Sequence, residues 1–515
     1  MKNELYYRPE WTCGRYNATK HVAIMFNLIS NGEYFFENES ADVIGVILKA
    51  GRNGEVSIAN LSETLNITKE SIAPFFKSLM EIGLLSDICP TESDINAYRN
   101  LCISQPNKTT YIGENAEHYL QCDISTVEQA YSEAVRDCTE VTSVVFELTY
   151  RCSEKCLHCY NVGATRNDSE VSGRGSLAEL TLEEYKRIID EMYDAGLVTA
   201  TLTGGDPFAN KNVWNILEYL YEKDVAVTIL TNGQQLTNQI DRLANLYPRS
   251  VRLSLYAADS KAHDYITRKD GSWQITIDVI RALKTLSIPV IINCVLMRPG
   301  VKSYMGLKSI AENMKCPIIF DYGVVDSIEG DVCATHHLRL TPQELEIVLL
   351  DSDIEPNILD YDVRKSFVPA IGVPCMAGRG TFDVTPDGKL IPCISMHLVL
   401  GDLKKQNFHL IIQDNTKLKI LLKSPESKYV DCGKYNYCKC CIFCAGNSFS
   451  EHGSPFSANE NNCYLAKNRY KIIEKIKSGM SIPDNKAIYD CIAGLPEYTF
   501  PKMHIEYRKW ANEVP

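Results

Sequence analysis

The chain has 515 residues, 45% of them hydrophobic and 23% charged, with a formal net charge of −12. This length predicts about three domains with a sizeable core, and the acidic balance disfavours nucleic acid and membrane surfaces as partners. No apolar run is long enough to predict a membrane-spanning helix, and the N-terminal MKNELYYRPEW lacks the apolar core of a signal peptide. We therefore expect a cytoplasmic protein, in which 20 cysteines indicate metal sites before disulfides.

Residues 1–90 are predicted to form a small unit of one hairpin and three helices. HVAIMFNLI and EYFFE are β-rich runs joined by Ser-Asn-Gly, which favours a hairpin. One helix follows from Ala41, a short one lies around Leu61, and Thr68 caps a third that ends at Gly83. This is the shape of a winged-helix module. With 8 Lys and Arg against 11 Asp and Glu, however, the unit is more acidic than a nucleic-acid-binding domain, which needs basic residues to contact phosphates.

Residues 142–325 alternate apolar runs with amphipathic helices. The apolar runs begin with SVVFELTY and LVTATLTGG and end with PIIFDYGVV. Continuous apolar runs are typical of parallel strands buried on both faces, so the repeat predicts an α/β fold, a partial (β/α)6 barrel. The other predicted segments are a linker at 91–141, a connecting helical stretch at 326–370, a cysteine-rich domain at 371–470 and a tail at 471–515.

Cys152, Cys156 and Cys159 follow the first predicted strand with the spacing CxxxCxxC. Three thiolates at this spacing can hold three irons of a [4Fe–4S] cluster and leave the fourth iron open. The alternative is a structural zinc site, for which His158 is the nearby fourth ligand. This motif after the first strand of such a barrel resembles the radical S-adenosylmethionine (SAM) superfamily. The resemblance implies SAM, one [4Fe–4S] cluster and a 5′-deoxyadenosyl radical, and we also assign His158 to cofactor binding.

The same resemblance assigns SAM-binding roles to later strand ends. Gly204, Gly205 and Asp206 lie where the family has a Gly-Gly-Glu type motif for the SAM amino group, with Asp in place of the commoner Glu. Ser254 would hydrogen-bond the SAM carboxylate, and Arg268 would pair with it. The alternatives are a simple turn for Gly-Gly-Asp-Pro, a strand-end serine and a surface arginine.

A second group of cysteines lies between residues 375 and 463. Its members are Cys375, Cys393, Cys432, Cys438, Cys440, Cys441, Cys444 and Cys463. Pro-Asp-Gly within TPDGKLIPC predicts a hairpin turn that presents Cys393. The pattern resembles a SPASM domain, which carries auxiliary iron–sulfur clusters, and its Cx5Cx2C part is similar to that of thioether-forming peptide cyclases. The resemblance implies two auxiliary [4Fe–4S] clusters. Because Cys440 and Cys441 are adjacent, it stays open whether one of them binds no cluster. It then also stays open whether one auxiliary cluster has a free coordination site for a substrate thiolate. The alternative for the whole group is zinc knuckles.

The N-terminal unit resembles the PqqD-like recognition element that binds leader peptides of ribosomally made, modified peptides. The residues that carry this likeness are GEYFFENESADVIGVIL and a helix ending in LMEIGLL. A leader would add a strand to the hairpin edge. Phe26, Phe35 and Phe36 are aromatic candidates for that surface, with core packing as the alternative.

Together these resemblances predict a radical SAM oxidoreductase that forms thioether crosslinks, from a cysteine sulfur to a carbon, in a precursor peptide of the sactipeptide type. Within this class, a carbon–carbon crosslink (cyclophane) or an epimerisation with Cys294 or Cys316 as hydrogen donor stays open. In other classes, a formylglycine-type maturase of a folded protein and a cluster-containing regulator stay open. The expected partners are a precursor peptide whose leader binds residues 1–90 and a flavodoxin or ferredoxin electron donor. No catalytic base can be identified.

Overall fold

The computed structural model describes residues 5–104, 124–160, 178–325, 335–356, 358–363, 371–429 and 431–498. Within these ranges the strands form a two-stranded, a three-stranded and a nine-stranded sheet. None of the helices described combines the length and apolarity needed to cross a bilayer.

The N-terminal unit contains the two smaller sheets. Its strands are β1 (Leu5–Tyr7), β2 (Thr12–Asn17), β3 (Val22–Asn27), β4 (Gly32–Glu37) and β5 (Glu55–Ser57). Its helices are α1 (Asn38–Lys49), α2 (Ile58–Leu65) and α3 (Lys69–Glu81). The predicted hairpin is the antiparallel pair β3–β4, and β2 extends it to a meander, while β1 pairs with β5. The prediction lacks β1, β2 and β5 because segments as short and polar as TCGRYN carry no apolar alternation.

The ends of the predicted third helix are confirmed. Thr68 is the N-cap of α3, and its Oγ1 accepts a hydrogen bond from Ser71 N at 3.3 Å. Gly83 follows the helix with φ +70, a left-handed conformation that glycine adopts without strain.

The predicted linker contains α4 (Glu92–Ser104) and α5 (Ile124–Ala134), while residues 105–123 lie outside the described part of the chain. Helix α5 packs on β3 and β4, where Tyr131 meets Phe35 edge-on at 6.4 Å. It therefore covers the face of the meander opposite α1.

Six parallel strands follow in sequence order, as the apolar runs predict. They are β6 (Val141–Thr149), β7 (Thr199–Gly204), β8 (Ala226–Thr231), β9 (Ser250–Ser254), β10 (Val290–Val295) and β11 (Ile318–Asp321). The helices between them are α6 (Leu182–Asp194), α7 (Val213–Glu222), α8 (Ile240–Ala244), α9 (Ser260–Thr267), α10 (Ser272–Thr285) and α11 (Tyr304–Asn313). A capping box of Thr181 and Glu184 sets the start of α6.

The large sheet does not end at β6. Strand β12 (Gly380–Val384) pairs with β6 in parallel, and β13 (Lys389–Ile391) and β14 (Gly401–Asp402) continue antiparallel. Gly388, with φ +85, makes the predicted turn between β12 and β13. The cysteine-rich domain therefore shares one sheet with the barrel, which the sequence does not predict.

Seven further helices surround this shared sheet. They are α12 (Pro342–Leu350), α13 (Asp360–Val363), α14 (Phe408–Ile412), α15 (Thr416–Lys423), α16 (Ala445–His452), α17 (Glu460–Lys477) and α18 (Asn485–Ala493). Of the predicted connecting stretch, residues 326–334, 357 and 364–370 lie outside the described chain. Ile488 and Ile492 of α18 belong to the main hydrophobic core, so this part of the predicted tail is folded.

Charged contacts fix the N-terminal unit to the amino ends of the barrel strands. Arg8, whose side chain is fully buried, donates two hydrogen bonds of 2.8 Å to Asp224, just before β8. Just before β9, Arg249 donates to Glu33 at 2.7 Å and to Glu128 at 2.9 Å. The N-terminal unit therefore lies at the end of the barrel opposite the loops that follow the strands.

We expect Asp224→Ala to destabilise this docking by about 3–5 kcal/mol, because it leaves the buried Arg8 guanidinium without a counter-charge. Urea unfolding followed by hydrogen exchange in the N-terminal unit measures the effect. Lys77→Ala, which removes an exposed pair with Glu81 at 3.9 Å, is the control and should cost about 0–1 kcal/mol. Equal stability of the two variants would contradict the role of Asp224.

Candidate functional site

The two faces of the large sheet differ in polarity. Phe146, Leu202 and Leu253 point into the main core beneath the helices. Because side chains alternate along a strand, their neighbours point to the opposite, inner face. The inner face carries Glu147, Thr203, Arg252, Ser254, Asn293 and Asp383. The loops that follow the parallel strands meet at the carboxyl edge of this polar face.

Two backbone hydrogen bonds anchor the first cysteine loop to the end of α9. The N–H groups of Lys155 and Leu157 donate to the carbonyls of Thr267 and Ile266, at 3.0 and 2.9 Å. Arg268 comes next and caps α9 in a left-handed conformation with φ 55. The structure thus brings the predicted arginine to the anchor of the cysteine loop.

The three thiols of this loop lie close together in a poorly solvated place. Burial, with the charges of Asp206 and Glu154, raises the pKa of the Cys152 thiol to about 12. Burial also raises the pKa of Cys156 well above its usual range, and Glu154, Cys159 and Cys152 raise it further. Such thiols become thiolates only when a cationic group replaces their protons, as iron does in a cluster. The donor set therefore fits an iron–sulfur cluster.

Gly204 and Gly205 bring two loops into contact. A Cβ on Gly205 would lie 2.4 Å from the carbonyl oxygen of Arg151, and one on Gly204 would lie 2.2 Å from that of Thr149. Because neither glycine has a Cβ, Gly205 N donates a hydrogen bond to Thr149 O at 2.7 Å, and Asp206 N donates one to Arg151 O at 2.9 Å. The glycines therefore hold the chain that leads into Cys152.

Both carboxylate oxygens of Asp206, which is fully buried, accept hydrogen bonds within the protein. One accepts from Phe208 N at 2.9 Å, and the other from Thr231 Oγ1 at 2.7 Å and from Asn232 N at 3.3 Å. The side-chain Nδ2 of Asn232 in turn donates a hydrogen bond to Cys152 Sγ at 3.4 Å. Asp206 thus positions a residue that contacts the cysteine loop, and its contact with SAM stays a prediction.

Ser254 and His158 meet at one aromatic ring. Ser254 hydrogen-bonds with Tyr256, and His158 lies edge-on to the same ring at 4.6 Å. Burial and the nearby His263 lower the pKa of His158 to about 4, so its imidazole is neutral. Ser254 also pairs in register with Asn293 of the next strand.

Several buried polar atoms at this edge have no hydrogen-bond partner among the described residues. They are Glu154 Oε1, His158 Nδ1, Gln234 Oε1 and Asn293 Oδ1. Buried polar groups are almost always hydrogen-bonded, so unpaired ones fit a polar ligand such as SAM. Asn232 and Asn293 are not among the site residues predicted from the sequence, although Thr-Asn-Gly at a strand end and a lone Asn inside IINCV indicate them.

A pair of buried carboxyl groups links this edge to the cysteine-rich domain. Glu147 on β6 and Asp383 on β12 are 0% and 2% exposed. Burial and the charge of Glu147 raise the pKa of Asp383 well above its usual range, while an N–H donated by Ile394 opposes this. Burial raises the pKa of Cys393 to about 12, and the charge of Asp383 adds to this effect. Burial also raises the pKa of Tyr160 in the first loop, and the charges of Glu147 and Asp383 raise it further.

The C-terminal cysteines separate into two sets. The four-cysteine set lines a cavity of about 560 Å³ and consists of Cys432, Cys438, Cys441 and Cys463. The three-cysteine set consists of Cys375, Cys393 and Cys444, whose charges act on one another. Tyr429 lies between the sets, near Cys375 of one and Cys432 of the other, and packs against Phe443 at 5.4 Å.

Cys440 belongs to neither set. Its side chain is 0% exposed in the main core, and its carbonyl accepts a hydrogen bond from Arg469 at 3.3 Å. Of the adjacent pair, only Cys441 reaches the cavity.

The zinc alternatives gain no support from the described residues. In them, no group of three or more His, Cys, Asp or Glu side chains is arranged to hold a single metal ion. The thiols within each set nevertheless act on one another's pKa. Thiols that lie near one another in a set fit a polynuclear cluster, in which each thiolate binds a different iron.

Comparison with known proteins identifies two domains. Residues 146–302 match the radical SAM superfamily, and residues 375–442 match the SPASM iron–sulfur cluster-binding domain. The chain therefore contains a radical SAM domain and a SPASM domain, and SAM and iron–sulfur clusters are its cofactors.

The relatives are distant. An AdoMet-dependent heme synthase of Methanosarcina barkeri is 23% identical over 60% of this chain and 93% of its own length. The antilisterial bacteriocin subtilosin biosynthesis protein AlbA of Bacillus subtilis is 25% identical over 63% of this chain and 70% of its own. The crystal structure of Streptococcus suis SuiB bound to precursor peptide SuiA aligns with 89% of this chain and 99% of its own, at 16% identity and a TM-score of 0.48. The relatives thus include a biosynthesis protein of the bacteriocin subtilosin.

We expect Cys441→Ala to lose one cluster and Cys440→Ala to keep all of them. In a chain with three [4Fe–4S] clusters, iron should fall from about 12 to about 8 per chain in the first variant only. Iron analysis of anaerobically reconstituted protein provides the measurement. Loss of iron from Cys440→Ala alone would reverse the assignment.

Gly205→Ala should displace the first cysteine loop, because the new Cβ would overlap two carbonyl oxygens at 2.4 and 2.6 Å. We expect at least a tenfold loss of SAM cleavage, on the order of the loss caused by small displacements in active sites. Gly494→Ala is the matched control, since its Cβ would meet its nearest atom at an ordinary 3.5 Å. Cleavage of SAM to 5′-deoxyadenosine is measured by chromatography, and equal rates in both variants would refute the steric argument.

Proposed function

We propose that this chain modifies a ribosomally made peptide by joining a cysteine sulfur to a carbon of the same peptide. The observation that carries the proposal is the three-cysteine set of the described residues, whose three thiolates would hold three irons of a [4Fe–4S] cluster and leave the fourth for a substrate thiolate. This set adjoins the polar inner face through Asp383. A peptide substrate is supported by the relative from subtilosin biosynthesis.

The reaction needs a hydrogen acceptor, a proton acceptor and an electron acceptor. When bound, SAM and the cluster of the first motif supply a 5′-deoxyadenosyl radical that takes one hydrogen atom from the acceptor carbon. Formation of the S–C bond then releases the thiol proton and one electron. The auxiliary cysteine sets would hold the groups that accept this electron.

The inner face offers the proton acceptor. Burial and the charge of Glu147 raise the pKa of Asp383 well above its usual range, so this carboxylate binds a proton more readily than an exposed one. A carboxylate of the Glu147–Asp383 pair would accept the thiol proton. Asn232 and Asp206 would keep the first cysteine loop in place while the peptide binds.

The N-terminal unit would bind the leader. Phe26, Phe35 and Phe36 are 1%, 5% and 0% exposed. They therefore pack in the core, which was the alternative to a leader-binding role. Phe75 on α3 is half-buried and meets Phe36 of β4 edge-on at 6.0 Å. It therefore lines the side of α3 next to an edge strand, where an added strand could pack.

The place of the N-terminal unit also constrains the peptide. It docks at the amino ends of β8 and β9, whereas the cysteine loop follows the carboxyl end of β6. A strand of β6's length spans about 30 Å. The peptide would therefore need roughly ten extended residues between its leader and its modified residue.

The test is a reaction of the anaerobically reconstituted protein with reductant, SAM and a precursor peptide encoded beside its gene, in deuterated water. We expect a product that has lost two hydrogens per crosslink, with the donor cysteine no longer open to alkylation. Tandem mass spectrometry measures both properties.

Other products would replace the proposal. The same mass loss with every cysteine still alkylatable would indicate a carbon–carbon crosslink. Uptake of one deuterium without a crosslink would indicate epimerisation. Cys294 and Cys316, the candidate hydrogen donors for that reaction, are packed in the main core on the other side of the sheet. Brisk formation of 5′-deoxyadenosine with an unchanged peptide would exclude this substrate class.

A further inference from the structure

Arg469 is a buried cation that the proposed reaction does not use. It is 3% exposed and lies on α17, the helix that also carries Cys463 of the four-cysteine set. A charge inside a protein is costly unless polar groups surround it. The groups that contact Arg469 therefore indicate what its charge acts on.

On one side, Arg469 contacts the chain that leads into the four-cysteine set. Its Nη1 donates a hydrogen bond to the carbonyl oxygen of Cys440 at 3.3 Å. That carbonyl belongs to the planar peptide group that joins Cys440 to Cys441, whose thiol lines the cavity. Burial raises the pKa of the Cys441 thiol to about 12, and the charge of Arg469 opposes this rise. The positive charge thus reaches a member of the set.

On the other side, Arg469 contacts the chain that follows β11. Its Nη2 donates a hydrogen bond to the hydroxyl oxygen of Tyr322 at 2.6 Å, and this hydroxyl donates in turn to Glu355. The other carboxylate oxygen of Glu355 accepts from the Tyr361 hydroxyl at 3.0 Å. The guanidinium carbon lies 5.3 and 5.2 Å from the ring centroids of Tyr322 and Tyr361. These contacts hold the guanidinium in one place.

The carboxylates near Arg469 lie on the barrel side of its guanidinium. Glu355 Oε2 is 3.6 Å from Arg469 Nε. Burial raises the pKa of Asp321 at the end of β11, while a hydrogen bond from Gly323 N and the charge of Arg469 oppose this. Among the described residues, the hydrogen bonds that Arg469 donates go to neutral oxygens, those of Cys440 and Tyr322. The nitrogen that faces the cysteine segment is therefore not the one nearest to Glu355.

We propose that Arg469 is a positioning residue that raises the reduction potential of the cluster held by the four-cysteine set. A cluster becomes more negative when it gains an electron, so a positive charge nearby in a poorly solvated place favours the reduced form. The hydrogen bond to the Cys440 carbonyl keeps the guanidinium at a fixed place relative to Cys441. The effect needs the loaded cluster but not the thioether reaction, so this proposal and the proposed function can fail separately.

The test is an anaerobic redox titration of the reconstituted protein without SAM or peptide. Dithionite, which is itself oxidised, supplies one electron to each cluster, and no bond to the protein is made or broken. Electron paramagnetic resonance measures the fraction of reduced cluster at each potential. Cys441→Ala, which should lose this cluster, identifies its step in the titration.

Removing the positive charge should make the cluster harder to reduce. In Arg469→Gln we expect the ratio of oxidised to reduced cluster at the wild-type midpoint to rise at least tenfold, which for one electron is a shift of about 59 mV. Arg469→Lys, which keeps the charge, should change this ratio less than about threefold. An unchanged midpoint in Arg469→Gln would overturn the proposal.

Removing the neighbouring negative charge should have the opposite effect. Glu355→Gln leaves the charge of Arg469 without the carboxylate beside Nε, so we expect the ratio to move toward the reduced form by at least about threefold. This variant decides the question if Arg469→Gln does not retain the cluster. No shift, or a shift toward the oxidised form, would count against Arg469.

A matched control removes a buried arginine at the other end of the barrel. Arg8→Gln breaks the pair with Asp224 at 2.8 Å and should leave the ratio within about twofold of the wild-type value. Iron content and circular dichroism establish that each variant is folded and loaded. Equal shifts in Arg8→Gln and Arg469→Gln would indicate a general effect of destabilisation and would refute the specific role of Arg469.

Discussion

Parallel pairing of β12 with β6 is the contact on which the arrangement of the site depends. The register runs from Gly380 opposite Val141 to Val384 opposite Phe146. One strand of this pair leads into the first cysteine loop, and the other leads through a tight turn to Cys393. Hydrogen bonds within one sheet therefore fix the distance between the first cysteine loop and Cys393. A flexible linker between two separate domains would leave that distance variable.

Buried polar groups differ between the two ends of the barrel. At the amino end, Arg8 and Arg249 are paired with carboxylates at 2.7–2.9 Å. At the carboxyl end, side-chain atoms of Glu154, His158 and Asn293 are buried without a hydrogen-bond partner among the described residues. An unpaired buried polar group costs about 1–3 kcal/mol. The ion pairs at the amino end therefore fit domain docking, and the unpaired atoms at the carboxyl end fit the binding of a polar ligand.

The sequence by itself determined the local features. The CxxxCxxC loop after β6, the six parallel strands, the Thr68 cap and the Gly388 turn depend on residues close together in the chain, so spacing and periodicity predict them. The radical SAM and SPASM domains were equally readable, because their motifs are short and specific. Only the tertiary structure decided which cysteines share a set, that Cys440 packs in the core, and that Asp383 meets Glu147 across β12 and β6. These are contacts between residues far apart in the chain, and their partners depend on how the elements pack, which spacing in one sequence does not encode.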